Sequence, residues 1–186
     1  MPLLQLSGDI QLICHEDRSD RLLAELSLHN LDVVLTDTPV GPSVKVRAYS
    51  HLLVESDIML FAAPTLVRKY RRNFPASLDG APFLLPAAGT ALRGLLTGWF
   101  DAHEIRPRIV GEFDDSALLK VFGQQGLGVF AAPAIIREEI KRQYDVGEIG
   151  TIDGQREQFY AISVEKKLKH PAVVAIAEAA KKKLFE

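Results

Sequence analysis

Four short polar stretches hold the residues best suited to grip a ligand: His15–Ser19, Thr36–Thr38, Pro86–Thr90 and Glu112–Ser116. Carboxylates are hard oxygen donors that suit a cation. Hydroxyls and glycine N–H groups at a helix start suit an anion or a polar group. Each stretch is expected in a loop at the carboxyl end of a strand, where parallel sheets place ligands. The same residues also read as helix caps, because Asp17, Thr90, Asp114 and Asp115 precede helical patterns and favour helix N-termini without any ligand. Both readings stay open on the residues alone. Enzyme signatures are absent: there is no G-x-S-x-G, no phosphate-binding loop and no H-E-x-x-H pair. Asp114 with Glu16 could act as general acid and base, but no nucleophile or metal set accompanies them. Cys14 lies in the apolar run IQLIC and reads as a core residue. The five histidines lack metal-ligand spacing. Gly126-Leu127-Gly128 reads as a tight turn, and Lys166–Lys169 and Lys181–Lys183 as solvated faces, the latter matching the negative end of a helix.

The elements that must position these loops alternate between strand and helix patterns, as in an α/β fold with a largely parallel sheet. Ile10–Cys14 is expected as a strand, Arg18–His29 as a helix capped by Asp17 or Ser19, and Asp32–Thr36 as a strand completing a βαβ unit. Thr38–Ser43 is a loop. Val44–Tyr49, His51–Val54 and Ile58–Ala62 are separate extended segments, followed by a helix over Thr65–Arg72. Phe83–Leu85, a helix after Thr90 to His103, Arg108–Gly111, a helix over Asp114–Gln125 and Leu127–Ala131 continue the alternation. A short helix over Ala134–Arg142, extended Val146–Ile152 and Gln158–Val164, and a helix over Pro171–Leu184 complete it. MLFAAPTLVRK and GVFAAPAIIRE repeat a strand–FAAP–helix joint, read either as convergence or as two equivalent strands side by side.

The 186 residues suit one domain or two small lobes, and 22 basic against 24 acidic residues give a net charge of −2, so nothing global points to nucleic acid. Hydrophobic residues at 47% and charged residues at 25% are ordinary for a folded chain. One cysteine excludes an intrachain disulfide and fits a reducing compartment. The longest apolar run, Ile58–Pro64, falls far short of the roughly 20 residues of a membrane helix, and the N-terminus lacks secretory features, so a cytoplasmic, membrane-free protein is expected.

ICHEDRSDRLLAELSLHNLDVVLTD resembles the first half of the effector-binding domain of LysR-type transcriptional regulators, where a strand, a leucine-rich helix and a Leu-Asp-hydrophobic strand occur in this order. GEFDDSALLKVFGQQGLGVFAAPAII and KHPAVVAIAEAA are similar to the same family, most of all to the subgroup that controls a sodium/proton antiporter gene in response to sodium. The resemblance implies a two-lobed, periplasmic-binding-protein-like (type 2) α/β fold with two crossover strands. Lobe I would be residues 1–53 and 147–186, lobe II residues 54–146, and the crossings would lie near Leu53–Asp57 and Val146–Ile149. It implies an effector between the lobes, contacted by His15, Glu16, Asp17, Thr36, Asp37, Gly89, Thr90, Asp114 and Asp115. For Na⁺ the donors would be Glu16, Asp37, Asp114 and Asp115 with loop carbonyls; an organic anion would instead sit near Thr90 and Arg93. No other cofactor is implied. A homodimer or homotetramer is implied, with helix Ser19–His29 of one copy meeting the second lobe of another. The family's winged helix-turn-helix, its linker helix and the first strand of the effector domain have no counterpart here, so contact with DNA is expected only through a separate N-terminal domain. A solute-binding protein of the same fold is the alternative.

Overall fold

The five consecutive apolar residues Ile58–Ala62 close a 14-residue strand, β2 (Tyr49–Ala62), and all five are buried. Such a run is stable only when both faces of the strand are covered. A computed structural model describes residues 11–41, 47–166 and 171–182. Its elements run α1 (Ser19–Ser27), β1 (Val34–Thr36), β2, α2 (Pro64–Tyr70), β3 (Pro82–Pro86), α3 (Ala91–Ala102), β4 (Arg108–Phe113), α4 (Ser116–Gln124), β5 (Phe130–Pro133), α5 (Arg137–Tyr144), β6 (Gly147–Ser163) and α6 (Pro171–Lys182). Short 3₁₀ turns lie at Ala76–Leu78 and Ala134–Ile136. The chain divides into two units, one made of residues up to Glu55 with those from Gln158 onward, the other of Ser56–Glu157.

In the Ser56–Glu157 unit the alternation of β2 sorts its side chains onto two faces. Ile58, Leu60 and Ala62 join Phe83, Leu85, Leu96 and Trp99 in one apolar cluster. Met59 and Phe61 join Leu84, Leu119, Phe130 and Ile140 in the other. β2 pairs antiparallel with β5, Leu60 opposite Ala131 and Phe61 opposite Phe130. The two FAAP joints are therefore direct neighbours, and the Phe61 and Phe130 rings stack with centroids 5.8 Å apart. β3 and β4 are parallel, from Pro82 opposite Arg108 to Pro86 opposite Phe113, with α3 as the crossover. Backbone bonds of 2.8 Å from Leu84 N–H to the Val129 carbonyl and from Val129 N–H to the Pro82 carbonyl carry the sheet onward towards β5. Gly126 makes the turn out of α4 with φ +79°. Gly123 lets α4 approach β5, because a Cβ there would clash with the Phe130 ring.

The other unit is smaller in its described part. β1 pairs antiparallel with β6, Val34 opposite Ile162. Leu23 and Leu26 of α1, one turn apart on one face, pack with Val34 and Ile162.

The tertiary structure overrides several expectations. Gln11–Cys14 forms no strand; Leu12 and Ile13 are about two-thirds exposed and Cys14 is exposed rather than in the core. An apolar run becomes a strand only beside a neighbour that accepts its ladder, and among the described residues no strand pairs with this one. Ile10 lies outside the described residues. The βαβ unit expected at the start is accordingly not formed, and β1 runs antiparallel to its partner. Neither Asp17 nor Ser19 caps α1: Arg18 is the cap residue, while Asp17 Oδ1 accepts from Arg18 N–H at 2.7 Å. β3 with β4 and the bridge to Val129 are parallel, whereas β1 with β6 and β2 with β5 are antiparallel. The segments expected as separate, His51–Val54 with Ile58–Ala62 and Val146–Ile152 with Gln158–Val164, merge into the long strands β2 and β6. Polar side chains bridge the intervals that looked like breaks: Arg156 Nε donates to Asp57 Oδ1 at 3.0 Å and Gln158 Nε2 to Glu55 Oε1 at 2.6 Å. Val44–Val46, Lys167–Lys169 and Lys183–Leu184 lie outside the described residues.

Replacing Gly123 by Ala should destabilise the fold by about 1–3 kcal/mol, as overpacking does. Gly94→Ala and Gly98→Ala, where α3 is exposed and a Cβ meets nothing within 4 Å, should each stabilise by about 0.5–1 kcal/mol through helix propensity; urea unfolding checks both. The single tryptophan reports a second feature. Buried Trp99 donates its indole N–H to Asp153 Oδ1 at 2.8 Å, and this bond first, with a lesser contribution from His103, holds the Asp153 carboxyl below its ordinary 3.8. Because the folded pKa is lowered, the bond contributes fully above 3.8 and is lost as the pH falls through the lower value. Trp99 emission should therefore change with a midpoint below 3.8 on acidification, and Asp153→Asn should abolish that phase.

Candidate functional site

β3 and β4 end side by side, with Pro86 opposite Phe113, and Ala87 N–H donating to the Phe113 carbonyl at 2.8 Å. This pairing places the loop Ala87–Thr90 beside the loop Asp114–Asp115, so four of the expected site residues share one rim of the Ser56–Glu157 unit. Gly89, at φ +93°, makes the turn into α3. Thr90 caps α3: its Oγ1 accepts from Arg93 N–H at 3.3 Å and donates to the Ala87 carbonyl at 3.1 Å. Asp115 caps α4, its Oδ1 accepting from Ala117 N–H at 2.7 Å and Leu118 N–H at 3.2 Å. Capping therefore explains the choice of residue at these two positions. Asp114, beside them, is exposed.

Arg93 ties the rim together. Its guanidinium donates to the Pro86 carbonyl and to Glu112 Oε1, both at 3.0 Å, which links the end of β3 to β4. The second cation is Lys120, on the first turns of α4, which donates to Ser116 Oγ at 3.2 Å. Burial pushes its ammonium below the ordinary lysine value, against the pull of the Asp115 and Glu157 carboxylates. Glu157 is buried, and so is Ser56, whose Oγ accepts from Ile135 N–H at 3.1 Å. Glu112, Asp114 and Asp115 thus follow one another closely along the end of β4 and the start of α4, with Arg93 bound to the first. Lys120 and Glu157 were not among the expected residues. A signal existed for the first, since Lys120 is the one charge in the helix SALLKVFGQ; nothing marks Glu157 among the polar residues of β6.

The remaining expected residues belong to the other unit. His15, Glu16 and Asp17 are exposed in the irregular segment before α1, where Asp17 also meets Arg21 Nη1 at 3.4 Å. Thr36 ends β1 and Asp37 follows it, both half-buried; Thr36 Oγ1 accepts from Thr38 N–H at 3.3 Å. Among the described residues, no three of His, Cys, Asp and Glu gather closely enough to hold a metal ion. Among the described residues, no helix is long and apolar enough to cross a membrane.

Residues 2–184 match the LysR substrate-binding domain family. The transcriptional activator protein NhaR of Escherichia coli K12 is 31% identical over 176 residues, which is 95% of this chain and 58% of that protein. The chain therefore spans little more than half the length of this relative. Among solved structures, the regulatory domain of HypT from Salmonella typhimurium superposes with a TM-score of 0.69 at 15% identity, covering 100% of this chain and 88% of the other. The effector-binding domain of QuiR in complex with shikimate gives 0.59 at 15% identity, covering 89% and 78%. The periplasmic-binding-protein-like α/β fold, the family match along almost the whole chain and the relationship to NhaR agree: the chain belongs to the LysR substrate-binding family, as the effector-binding, regulatory domain of a LysR-type regulator.

Proposed function

We propose that this domain senses a small effector at the β3/β4 rim and transmits its binding to a separate DNA-binding domain, in a cytoplasmic regulator that activates transcription as its relative NhaR is named for doing. The domain itself catalyses nothing. The observation that carries this reading is the pairing of Pro86 with Phe113, which brings Gly89, Thr90, Asp114 and Asp115 to one edge under the tie of Arg93 to Glu112. A ligand that touches both loops changes the spacing of α3 and α4, and a ligand can shift a protein between states only through such differential contacts. Likeness to NhaR supports a sodium/proton antiporter gene, or a related stress gene, as the target. The excess of carboxylates over cations at the rim supports Na⁺ as the effector, with Asp114 and loop carbonyls as its oxygen donors. A second reading, an organic anion at Thr90 and Arg93, is favoured by the shikimate held by the QuiR domain of the same fold; a solute-binding role lacks any comparable support.

We also propose that the domain self-associates, as a dimer or tetramer, through α4. That helix buries Leu119 yet leaves Leu118, Val121 and Phe122 more than 40% exposed, with Leu127 just beyond it. Grouped apolar side chains of this size on one element mark an interaction surface.

Two measurements test these proposals. Melting followed in NaCl against KCl at equal ionic strength should show a sodium-specific rise of about 2–4 °C, the size of about 1 kcal/mol of linked binding, and Asp114→Asn should remove most of it. Superimposed curves, with a shift produced by shikimate and lost in Arg93→Ala, would transfer the site to the organic anion. The double variant Val121→Glu, Phe122→Glu should sediment as a monomer at concentrations where the parent chain self-associates; an unchanged sedimentation coefficient rules out α4 as the interface.

A further inference from the structure

A concavity of about 440 Å³ lies within the unit that holds both chain ends, lined by Ser27, His29, Arg47, Tyr49, Val164 and Lys166. None of the six is acidic, while two are permanent cations and a third is a histidine. Among the described residues, the ion pairs involve neither Arg47 nor Lys166. Two cationic side chains lining one concave surface with no acidic side chain among the lining residues favour an anion there.

The walls are held from behind. Ser163 is buried, its Oγ donating to the Glu165 carbonyl at 2.8 Å and meeting His51 Nε2 at 3.0 Å. This fastens the segment carrying Val164 and Lys166 to the strand that carries Tyr49. Just after α1 the chain makes a left-handed turn at His29, φ 60°. There His29 N–H donates to the Leu26 carbonyl at 3.1 Å and Asn30 N–H to the Glu25 carbonyl at 3.0 Å, so these backbone acceptors at the helix end are already occupied. The nearest acid of α1 is also engaged, since Glu25 Oε2 accepts from Asn30 Nδ2 at 2.8 Å. Ser27 Oγ donates to the Ala24 carbonyl at 2.7 Å, which leaves the Arg47 guanidinium, the Lys166 ammonium, the Tyr49 hydroxyl and the His29 ring as the donors.

We propose that this pocket binds a phosphate group, free or carried on a small organic body. Arg47 supplies a planar fork and Lys166 a point charge, the pairing of donors that phosphate oxygens accept best. The volume falls within the range of small-molecule sites, roughly 300–1,000 Å³, and Tyr49 and Val164 offer apolar surface to the body of a phosphomonoester. The site lies on different elements from the β3/β4 rim and stands whether or not the rim takes an effector.

Isothermal titration of the full chain with potassium phosphate, against potassium chloride at matched ionic strength, should give saturable binding with Kd of about 1 mM or tighter. Arg47→Ala and Lys166→Ala should each weaken it about 10-fold, with Arg47→Lys losing less. Glycerol phosphate in a parallel titration separates the two sources of the group: tighter binding assigns a phosphomonoester, equal binding the inorganic ion. Phosphate behaving as chloride does overturns the proposal, and so do alanine variants that bind as the parent chain does. Should Arg47→Ala not fold, Lys166→Gln at its exposed position decides the question by the same readout.

Discussion

Covering β2 on both faces is the constraint from which the rest of the Ser56–Glu157 unit follows. Ile58, Leu60 and Ala62 face one apolar cluster while Met59 and Phe61 face the other, so a slip of one residue against β5 would exchange every side chain between clusters. Phe61 stacked on Phe130 holds that register, and Gly123 lets α4 lie close against the same ring. From β5 the order passes through Val129 to β3 and from β3 to β4. The rim that carries Thr90 and Asp115 is therefore the outer consequence of packing that begins at β2.

At that rim, stability and recognition draw on the same atoms. Thr90 and Asp115 satisfy the N–H groups at the starts of α3 and α4, and removing either exposes orphaned donors at a cost of about 1 kcal/mol. A ligand there must work with groups already engaged, which gives it a handle on helix position rather than merely a seat. Arg93 extends this economy: one guanidinium closes the carbonyl at the end of β3 and the carboxylate of Glu112 on β4.

The long strands β2 and β6 show a different use of polar residues. Their middle sections carry Glu55, Ser56, Asp57, Arg156, Glu157 and Gln158, a composition that favours turns and solvent. Cross-strand partners engage four of them, and the buried Ser56 hydroxyl serves a backbone N–H from the start of the helical turn after β5. Continuity of the strands is thus a property of pairs, invisible in either segment taken alone.

This separates what could be read from the chain from what could not. The helices after Thr90 and Asp115 were legible, because a hydroxyl or carboxylate before a 3.6-residue apolar pattern is a local signal and its chemistry is local. So was the adjacency of glycine and hydroxyl at one loop and of two carboxylates at another. The sequence also carried the family likeness in its GEFDDSALLKVFG segment. Partner-dependent features were decided only by the tertiary structure. Gln11–Cys14 has the composition of a strand but pairs with none among the described residues, whereas the FAAP joints became a stacked pair because antiparallel β2 and β5 set Phe61 opposite Phe130. The burial of Lys120 and Glu157 depends on which surface their elements cover, and no pattern along the chain encodes that surface, since burial is a relation between segments distant in sequence.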